Sequence, residues 1–327
     1  MTVPVPANFP STQNKPIKSP YPYFGGKAKV ASSVWERFGD VPNYVEPFFG
    51  SGAVLLARPH APRTETINDL DSCVSNFYRA IRDNPDKVAH YADYPINETD
   101  LTARHQYIVN QNKFRENMLA DPDYYDAKIA GWWIWGISQW IGGGWCARNK
   151  YNYKNDPKVT RVHRRRPILS NATGIHAKGV TDIYFLMRRL QLRMRKVRVC
   201  CGDWNRVLTK TPTTLHGVTA VFLDPPYTAK AGRAVGCYAN DSFSVGHKAA
   251  KWAFENGDNP NFRIALCGYE GEYKVPANWE TLAWKANGGM SGLGKGKTQG
   301  SLNRKKERIW FSPHCLKASL PLFDKKD

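Results

Sequence analysis

The segment 44–57, YVEPFFGSGAVLLA, constrains the fold more than any other part of the chain. A short apolar run meets a turn that contains Gly50 and Gly52, and a second apolar run with helical character follows. This pattern predicts a strand–turn–helix unit of an α/β sheet. Ligands bind such sheets outside the carboxyl ends of the strands, and glycine lets the backbone approach them closely, so the turn is a candidate cofactor site. The alternative is an ordinary turn that needs glycine only for its shape.

Other segments repeat the α/β pattern on both sides of a different middle region. TETIND (64–69) predicts a second strand, and the apolar spacing of the next segment predicts a helix that Asn84-Pro85 ends. Strand patterns return after Val197 in VRVCCGDW, AVFLDPPY and RIALCGY. Residues 86–195 instead hold a tryptophan cluster and basic runs. We therefore predict a Pro-rich flexible arm (1–19), an α/β domain (20–85 and 196–327) and an inserted, mainly helical module (86–195).

Charge and cysteine content restrict the class of protein. The 327 residues include 47 Lys and Arg against 28 Asp and Glu, a net charge of +19, which favours nucleic acid as a partner. A surface selected for solubility is the alternative. The seven cysteines form no CxxC pair and are odd in number, which argues against a zinc ribbon and a disulfide scaffold. With no apolar run of about 18 residues and no signal-peptide pattern, we expect an intracellular protein without a membrane span or a metal.

Two near-matches to nucleotide-binding motifs fail on one residue each. The dinucleotide fingerprint needs a third glycine where Leu55 stands, which argues against a nicotinamide enzyme. The stretch SGLGKGKTQ resembles a phosphate loop but has Ser291 where that loop needs glycine. We interpret 288–308 as a basic loop in which Lys295 and Lys297 contact a phosphate backbone, or as a merely solvated loop.

Two acids follow predicted strands and suit different tasks. Asp69 ends the second strand, where a carboxylate can accept hydrogen bonds from ribose hydroxyls, although capping the next helix is the simpler alternative. Asp224 follows VFL and begins the stiff loop DPPY. The carboxylate and the carbonyls of Pro225 and Pro226 offer acceptors for N–H groups, and Tyr227 offers a ring on which a base can stack. Together they favour an exocyclic amine on a planar base, with a structural proline turn as the alternative.

At this point the sequence resembles the Dam-like, D12 class of DNA adenine N6-methyltransferases, which includes bacterial and phage enzymes. The resemblance covers roughly residues 20–85 and 196–312, with the motifs in that family's order. The matching segments are YFGGK (23–27), EPFFGSG (46–52), INDLD (67–71), DPPY (224–227), YANDSF (238–243) and RKKERIWF (304–311). The tryptophan-rich segment 131–146 does not resemble the Dam recognition loop, so the target sequence is left open.

The resemblance implies a class I S-adenosylmethionine-dependent methyltransferase, a Rossmann-like α/β fold with a mixed seven-stranded sheet and an inserted target-recognition domain. It implies direct methyl transfer to an adenine flipped out of double-stranded DNA, with no catalytic metal, in the cytoplasm of a bacterium or phage-infected host. The catalytic residues would be Asp224, Pro225, Pro226 and Tyr227. The S-adenosyl-L-methionine site would comprise Tyr23, Lys27, Glu46, Phe48, Gly50, Gly52, Asp69, Leu70, Asp203 and Trp204. The DNA contacts would include Arg164, Arg165, Arg166, Phe243, Lys295 and Lys297.

Other functions remain as alternatives. Cytosine C5 methylation needs a nucleophilic cysteine, usually after proline, and the sequence has no Pro-Cys dipeptide. N4-cytosine methyltransferases usually carry Ser where Asp224 stands, which favours adenine. A DNA-binding protein that kept the fold without activity is disfavoured by the intact motifs. The tryptophans at 132, 133, 135 and 140 are predicted to form the core of the middle module, and Gly142, Gly143 and Gly144 a loop that could approach DNA.

Overall fold

A computed structural model describes residues 17–23, 26–140, 145–146, 167, 174–176, 180, 182–227, 244–284 and 306–318. Its strands are β1 (Asn43–Glu46), β2 (Thr64–Asp69), β3 (Arg198–Cys201), β4 (Thr219–Leu223), β5 (Phe262–Tyr269), β6 (Glu280–Ala283) and β7 (Glu307–Phe311). Its α-helices are α1 (Ala31–Phe38), α2 (Ala53–Leu56), α3 (Ser72–Asp83), α4 (Pro85–Ala92), α5 (Glu98–Val109), α6 (Phe114–Ala120), α7 (Ala127–Ile137), α8 (Ile183–Met194) and α9 (Val245–Asn256). No helix in these ranges is long and apolar enough to cross a membrane.

The strands form one sheet in the order β3-β2-β1-β4-β5-β7-β6. Strands β1 to β5 pair in parallel, and β7 runs antiparallel to its neighbours β5 and β6. The strand order reverses direction between β1 and β4, so a crevice is expected outside the carboxyl ends of these two strands. The mixed seven-stranded sheet that the resemblance implies is confirmed.

Alternate residues of the central strands belong to two hydrophobic clusters, as the two-residue period of a strand requires. Ala220 and Phe222 of β4 belong to the cluster that contains residues of α1, α3 and α7. Val221 and Leu223 belong to the other cluster, with residues of α9. Because both faces are covered, β4 is buried along its whole length, and its sequence after Thr219 is continuously apolar rather than alternating.

Helix α3 joins the sheet to the middle of the chain. It begins where the Asp71 carboxylate accepts a hydrogen bond from the backbone N–H of Cys73, and it ends at Asn84, before Pro85. Helices α7 and α8 pack against α3 and α4, and the cluster of buried residues continues from the sheet through these helices. Trp133, Trp135 and Trp140 are buried, which confirms the prediction that they form a core, while Trp132 is half-buried. The domain boundaries at 86 and 195 stay a prediction.

Candidate active site

A cleft opens at the carboxyl ends of β1, β2 and β4, where the strand order reverses. Its volume, including the open mouth, is about 1000 Å³. Of the ten residues predicted to hold a cofactor, Gly52 alone does not line it. The lining residues are Tyr23, Gly26, Lys27, Glu46, Pro47, Phe48, Phe49, Gly50, Ser51, Ala53, Val54, Asn68, Asp69, Leu70, Asp71, Gly202, Asp203, Trp204, Phe222, Asp224, Pro226 and Val245. The cleft therefore brings the predicted cofactor residues and the DPPY loop together.

The two glycines of the turn after β1 have different roles. Both adopt left-handed backbone angles, with φ of 51° at Gly50 and 67° at Gly52. A Cβ atom at Gly50 would lie 2.8 Å from the ring of Tyr23, within the cleft wall. A Cβ atom at Gly52 would lie 2.3 Å from the ring of Phe49, because this residue faces the turn itself. Glycine at position 52 makes room for Phe49, and a direct contact of Gly52 with the cofactor stays a prediction.

Asp69, at the end of β2, accepts a hydrogen bond from the backbone of the glycine turn. Its Oδ2 accepts a hydrogen bond of 3.0 Å from the N–H of Gly50, and its Oδ1 accepts one of 2.9 Å from the N–H of Asp71. Burial raises the pKa of Asp69, and the backbone N–H groups oppose that shift. Asp71, not Asp69, caps α3, so the helix-cap alternative for Asp69 is wrong. Burial and the charge of Asp69 raise the pKa of Asp71 to about 6.

Aromatic rings form one wall of the cleft. Phe48 and Trp204 are stacked, with ring centroids 5.7 Å apart and an interplanar angle of 26°. Asp203 lies beside them, and its carboxylate accepts a hydrogen bond from the N–H of Asn205 at the start of a short 3-10 helix. Leu70 also lines the cleft, with 43% of its surface exposed. This end of the cleft offers flat apolar surface next to a carboxylate, an arrangement that suits a nucleoside.

Glu46 is a buried acid at the end of β1. Its Oε2 accepts a 2.7 Å hydrogen bond from the hydroxyl of Tyr44, and only 2% of the residue is exposed. Burial raises the pKa of Glu46 to about 8, although the Tyr44 hydrogen bond lowers it. A cation bound in the cleft would favour the ionised form of this side chain.

Lys27 forms an ion pair with Asp224. The distance from Lys27 Nζ to Asp224 Oδ2 is 2.7 Å, and the side chains are 3% and 18% exposed. Burial raises the pKa of Asp224, and the charge of Lys27 opposes that shift. Burial also disfavours the charge of Lys27, but the surrounding anionic groups, Asp224 first, outweigh it and raise the pKa of Lys27. Lys27 lines the cleft as predicted, yet its direct partner is the catalytic candidate, which the sequence did not reveal.

Tyr227 and Pro225 differ from the sequence prediction. Tyr227 is only 6% exposed, and its ring packs edge-on against Tyr269 at a centroid distance of 4.5 Å. Strands β5 and β7 supply its surroundings, so the ring is not the open stacking platform that a loop position implied. Pro225 is buried and does not line the cleft, whereas Pro226 does. A catalytic role for each stays a prediction.

Glu307 of β7 is a site residue that the sequence did not single out. Its Oε2 accepts a 2.8 Å hydrogen bond from the hydroxyl of Tyr227, and it is 4% exposed. The segment RKKERIWF contains it, but nothing in that segment indicates a partner 80 positions away.

The predicted DNA contacts Arg164, Arg165, Arg166, Phe243, Lys295 and Lys297 lie outside the described residues, as do Gly142, Gly143 and Gly144. Two arginines of the basic run in α8 have structural partners instead. Arg188 pairs with Asp86, and Arg193 pairs with the buried Glu65 of β2 at 2.7 Å. Within the described ranges, no cluster of three or more His, Cys, Asp or Glu side chains could hold a metal ion.

Residues 23–256 match the family model for D12 class N6 adenine-specific DNA methyltransferases. The chain belongs to this family. The protein is a DNA adenine N6-methyltransferase. The match excludes the cytosine methyltransferase alternatives and the non-catalytic DNA-binding protein. Its sheet is that of a class I methyltransferase. The matched range runs from Tyr23 through the DPPY loop into α9. No curated protein matches the chain.

Proposed function

We propose that the cleft binds S-adenosyl-L-methionine and that Asp224 polarises the amine of an adenine flipped out of double-stranded DNA. Enzymes of methyltransferase families use this cofactor in general; its position in this chain is our proposal. The observation that carries it is the continuity of the cleft, since the glycine turn, Asp69 and Asp224 line the same space.

The residues present fit this cofactor in shape and charge. The Phe48–Trp204 wall suits the adenine ring, and Asp69 at the end of β2 suits the ribose hydroxyls. The buried Glu46 suits a positively charged group. When bound, S-adenosylmethionine supplies a methyl group on a positively charged sulfur.

The side chains at the DPPY loop support a role in orienting and polarising the target amine. An ionised Asp224 accepts a hydrogen bond from the amine N–H, which increases electron density on the nitrogen. The backbone carbonyl of Pro225 is proposed to accept the second N–H. Lys27 favours the ionised form of Asp224 at neutral pH, because it opposes the effect of burial. This account needs no covalent intermediate on the protein, only positioning and electrostatics.

Double-stranded DNA is the proposed form of the substrate. The net charge of +19 supports binding to a duplex, and an adenine inside a duplex must leave the stack before a methyl group can reach it. We propose that the module 86–195 and the loop 288–308 supply phosphate contacts, with Phe243 near the flipped base. We also propose a cytoplasmic location in a bacterium or phage-infected host, because the DNA substrate would be there, and a reaction that proceeds with metal chelators present.

The cofactor proposal is tested by calorimetry on Asp69→Ala. The substitution removes the proposed ribose contact and the hydrogen bond to Gly50, so affinity for S-adenosylmethionine should weaken by about 1–3 kcal/mol. Asp123→Ala is the matched control, since this aspartate is exposed and lies outside the cleft. Thermal unfolding of both variants checks that the fold is intact. A folded Asp69→Ala protein with wild-type affinity would refute the cofactor assignment.

A further inference from the structure

Four side chains form a hydrogen-bonded chain beside the cleft: the buried Lys27, Tyr227 and Glu307 and the half-buried Asp224. Lys27 Nζ donates to Asp224 Oδ2 at 2.7 Å. The hydroxyl of Tyr227 lies 3.2 Å from Asp224 Oδ1 and 2.8 Å from Glu307 Oε2. The chain links β7 to the loop after β4 by side chains alone.

The Tyr227 hydroxyl has one proton and two carboxylates within reach. The distance to Glu307 falls in the usual O–H···O range, whereas the distance to Asp224 is longer than that range. The proton therefore points to Glu307. Since Lys27 already occupies Oδ2 of Asp224, Oδ1 is the oxygen left for another donor.

We propose that Glu307 is a positioning residue that draws the Tyr227 hydroxyl proton away from Asp224, so that Oδ1 stays available to accept the N–H of the target adenine amine. The inference rests on the proposed role of Asp224 and extends it to a residue on another strand. Without a carboxylate at position 307, the phenol would donate to Asp224, occupying the oxygen and withdrawing its negative charge.

The location of Glu307 supports this function. Burying a carboxylate is costly unless it is hydrogen-bonded, and Glu307 is 4% exposed and lies directly opposite Tyr269 at the end of the β5–β7 pairing. Burial raises the pKa of Glu307, while Lys27 lowers it. If Glu307 only provided a hydrogen-bond acceptor for the buried Tyr227 hydroxyl, the same contact would be present. Removing that hydroxyl would then not restore the activity of a Glu307 variant.

The test uses Glu307→Gln, Tyr227→Phe and the double variant in single-turnover and steady-state methyl transfer to duplex DNA. A neutral amide is a weaker acceptor than a carboxylate, so in Glu307→Gln the phenol proton moves to Asp224. We expect kcat to fall roughly 10- to 100-fold, the range for losing one charged hydrogen bond, with little change in KM for either substrate. Adding Tyr227→Phe to Glu307→Gln should raise kcat to the level of the Tyr227→Phe single variant, because no hydroxyl then competes for Asp224.

Rescue by Tyr227→Phe is the decisive result, because a packing defect would not be repaired by a second substitution next to it. Glu270→Gln is the control for a nearby exposed carboxylate outside the site. A wild-type kcat in Glu307→Gln, or a double variant as slow as Glu307→Gln, would overturn the inference. Asp224→Asn separates the two proposals: if it is active, the role of Asp224 is wrong; if it is inactive and rescue fails, only the role of Glu307 is wrong.

Discussion

Removing the positive charge beside Asp224 should shift the pH dependence of methyl transfer. The perturbation is Lys27→Met, which keeps a long apolar side chain and removes the ammonium group 2.7 Å from Asp224 Oδ2. In the wild-type protein, Lys27 opposes the rise in the pKa of Asp224 that burial causes. Without it, Asp224 holds its proton to higher pH, and the neutral carboxyl group is a weaker acceptor that lacks the charge needed to polarise the amine.

The magnitude follows from the burial of the pair. Removing one partner of a buried ion pair costs about 3–5 kcal/mol, because the other charge is left uncompensated. Protonation of Asp224 removes this uncompensated charge. One pKa unit corresponds to about 1.4 kcal/mol, so the cost raises the pKa of Asp224 by about two to four units. The lower end applies here, because the Asp224 side chain is 18% exposed. Where the pH lies below both pKa values, a rise of about two units lowers the ionised fraction of Asp224, and kcat with it, by about 100-fold, and the loss becomes smaller as the pH rises.

The assay is the pH profile of kcat for wild type and Lys27→Met. Activity that needs ionised Asp224 is lost as pH falls through its pKa, so the acid limb should move to higher pH in the variant and activity should recover on the alkaline side. Lys29→Met, an exposed lysine two positions away, should leave that limb in place. A Lys27→Met enzyme with the wild-type acid limb and kcat would refute the reasoning.

Three further predictions concern the cleft and the DNA-binding arginines. The pKa of Glu46 is raised to about 8, so the folded state keeps a proton that the unfolded state releases near pH 4.5. The free energy of unfolding should therefore fall as pH rises between these two values, by at most about 1.4 kcal/mol per pH unit. In Glu46→Gln, urea unfolding should show a flatter dependence of this free energy on pH. Gly50→Ala should lower the free energy of unfolding by about 1–2 kcal/mol, because the backbone there is left-handed, and should also weaken cofactor binding by displacing Tyr23. The control Gly271→Ala, with φ of 78° and open space around the residue, should lose stability without a change in cofactor affinity. Charge reversal at Arg164, Arg165 and Arg166 should make the log–log salt dependence of DNA affinity shallower, by about 0.9 for each phosphate that the variant no longer neutralises, and an unchanged slope would contradict the assignment.

The parts of the fold that the sequence predicted are those with a local signal. Strands β4 and β5 are mostly apolar, β1 leads into the glycine turn, and β2 ends in acids before a helix. The turn at Gly50 requires backbone angles that glycine supplies. Asp69 and Asp224 were each predicted to follow a strand, and they line one cleft because the carboxyl ends of parallel strands meet at one edge of the sheet. Strand β6 had no comparable signal, since it is four residues long and alternately half-buried and exposed at the sheet edge.

The connections within the site depend on tertiary packing, which spacing along the chain does not encode. Lys27 and Asp224 are 197 positions apart, and Tyr227 and Glu307 are 80 apart. Tyr227 was predicted to be open to a base because it follows two prolines in a loop, but Tyr269 and Glu307 from the neighbouring strands enclose it. The motif singled out Asp224 and Tyr227, whereas the side chains that affect their protonation, Lys27 and Glu307, lie far away along the chain.

The most direct test of the account is methyl transfer by Asp224→Ala, with tritiated S-adenosylmethionine, adenine-containing duplex DNA and digestion of the product to nucleosides. The wild-type protein should place the label in N6-methyladenine. The variant should stay folded and lose activity by at least about 100- to 1000-fold, the usual cost of one preorganised polar contact. An Asp224→Ala enzyme that methylates adenine at the wild-type rate would contradict the central claim.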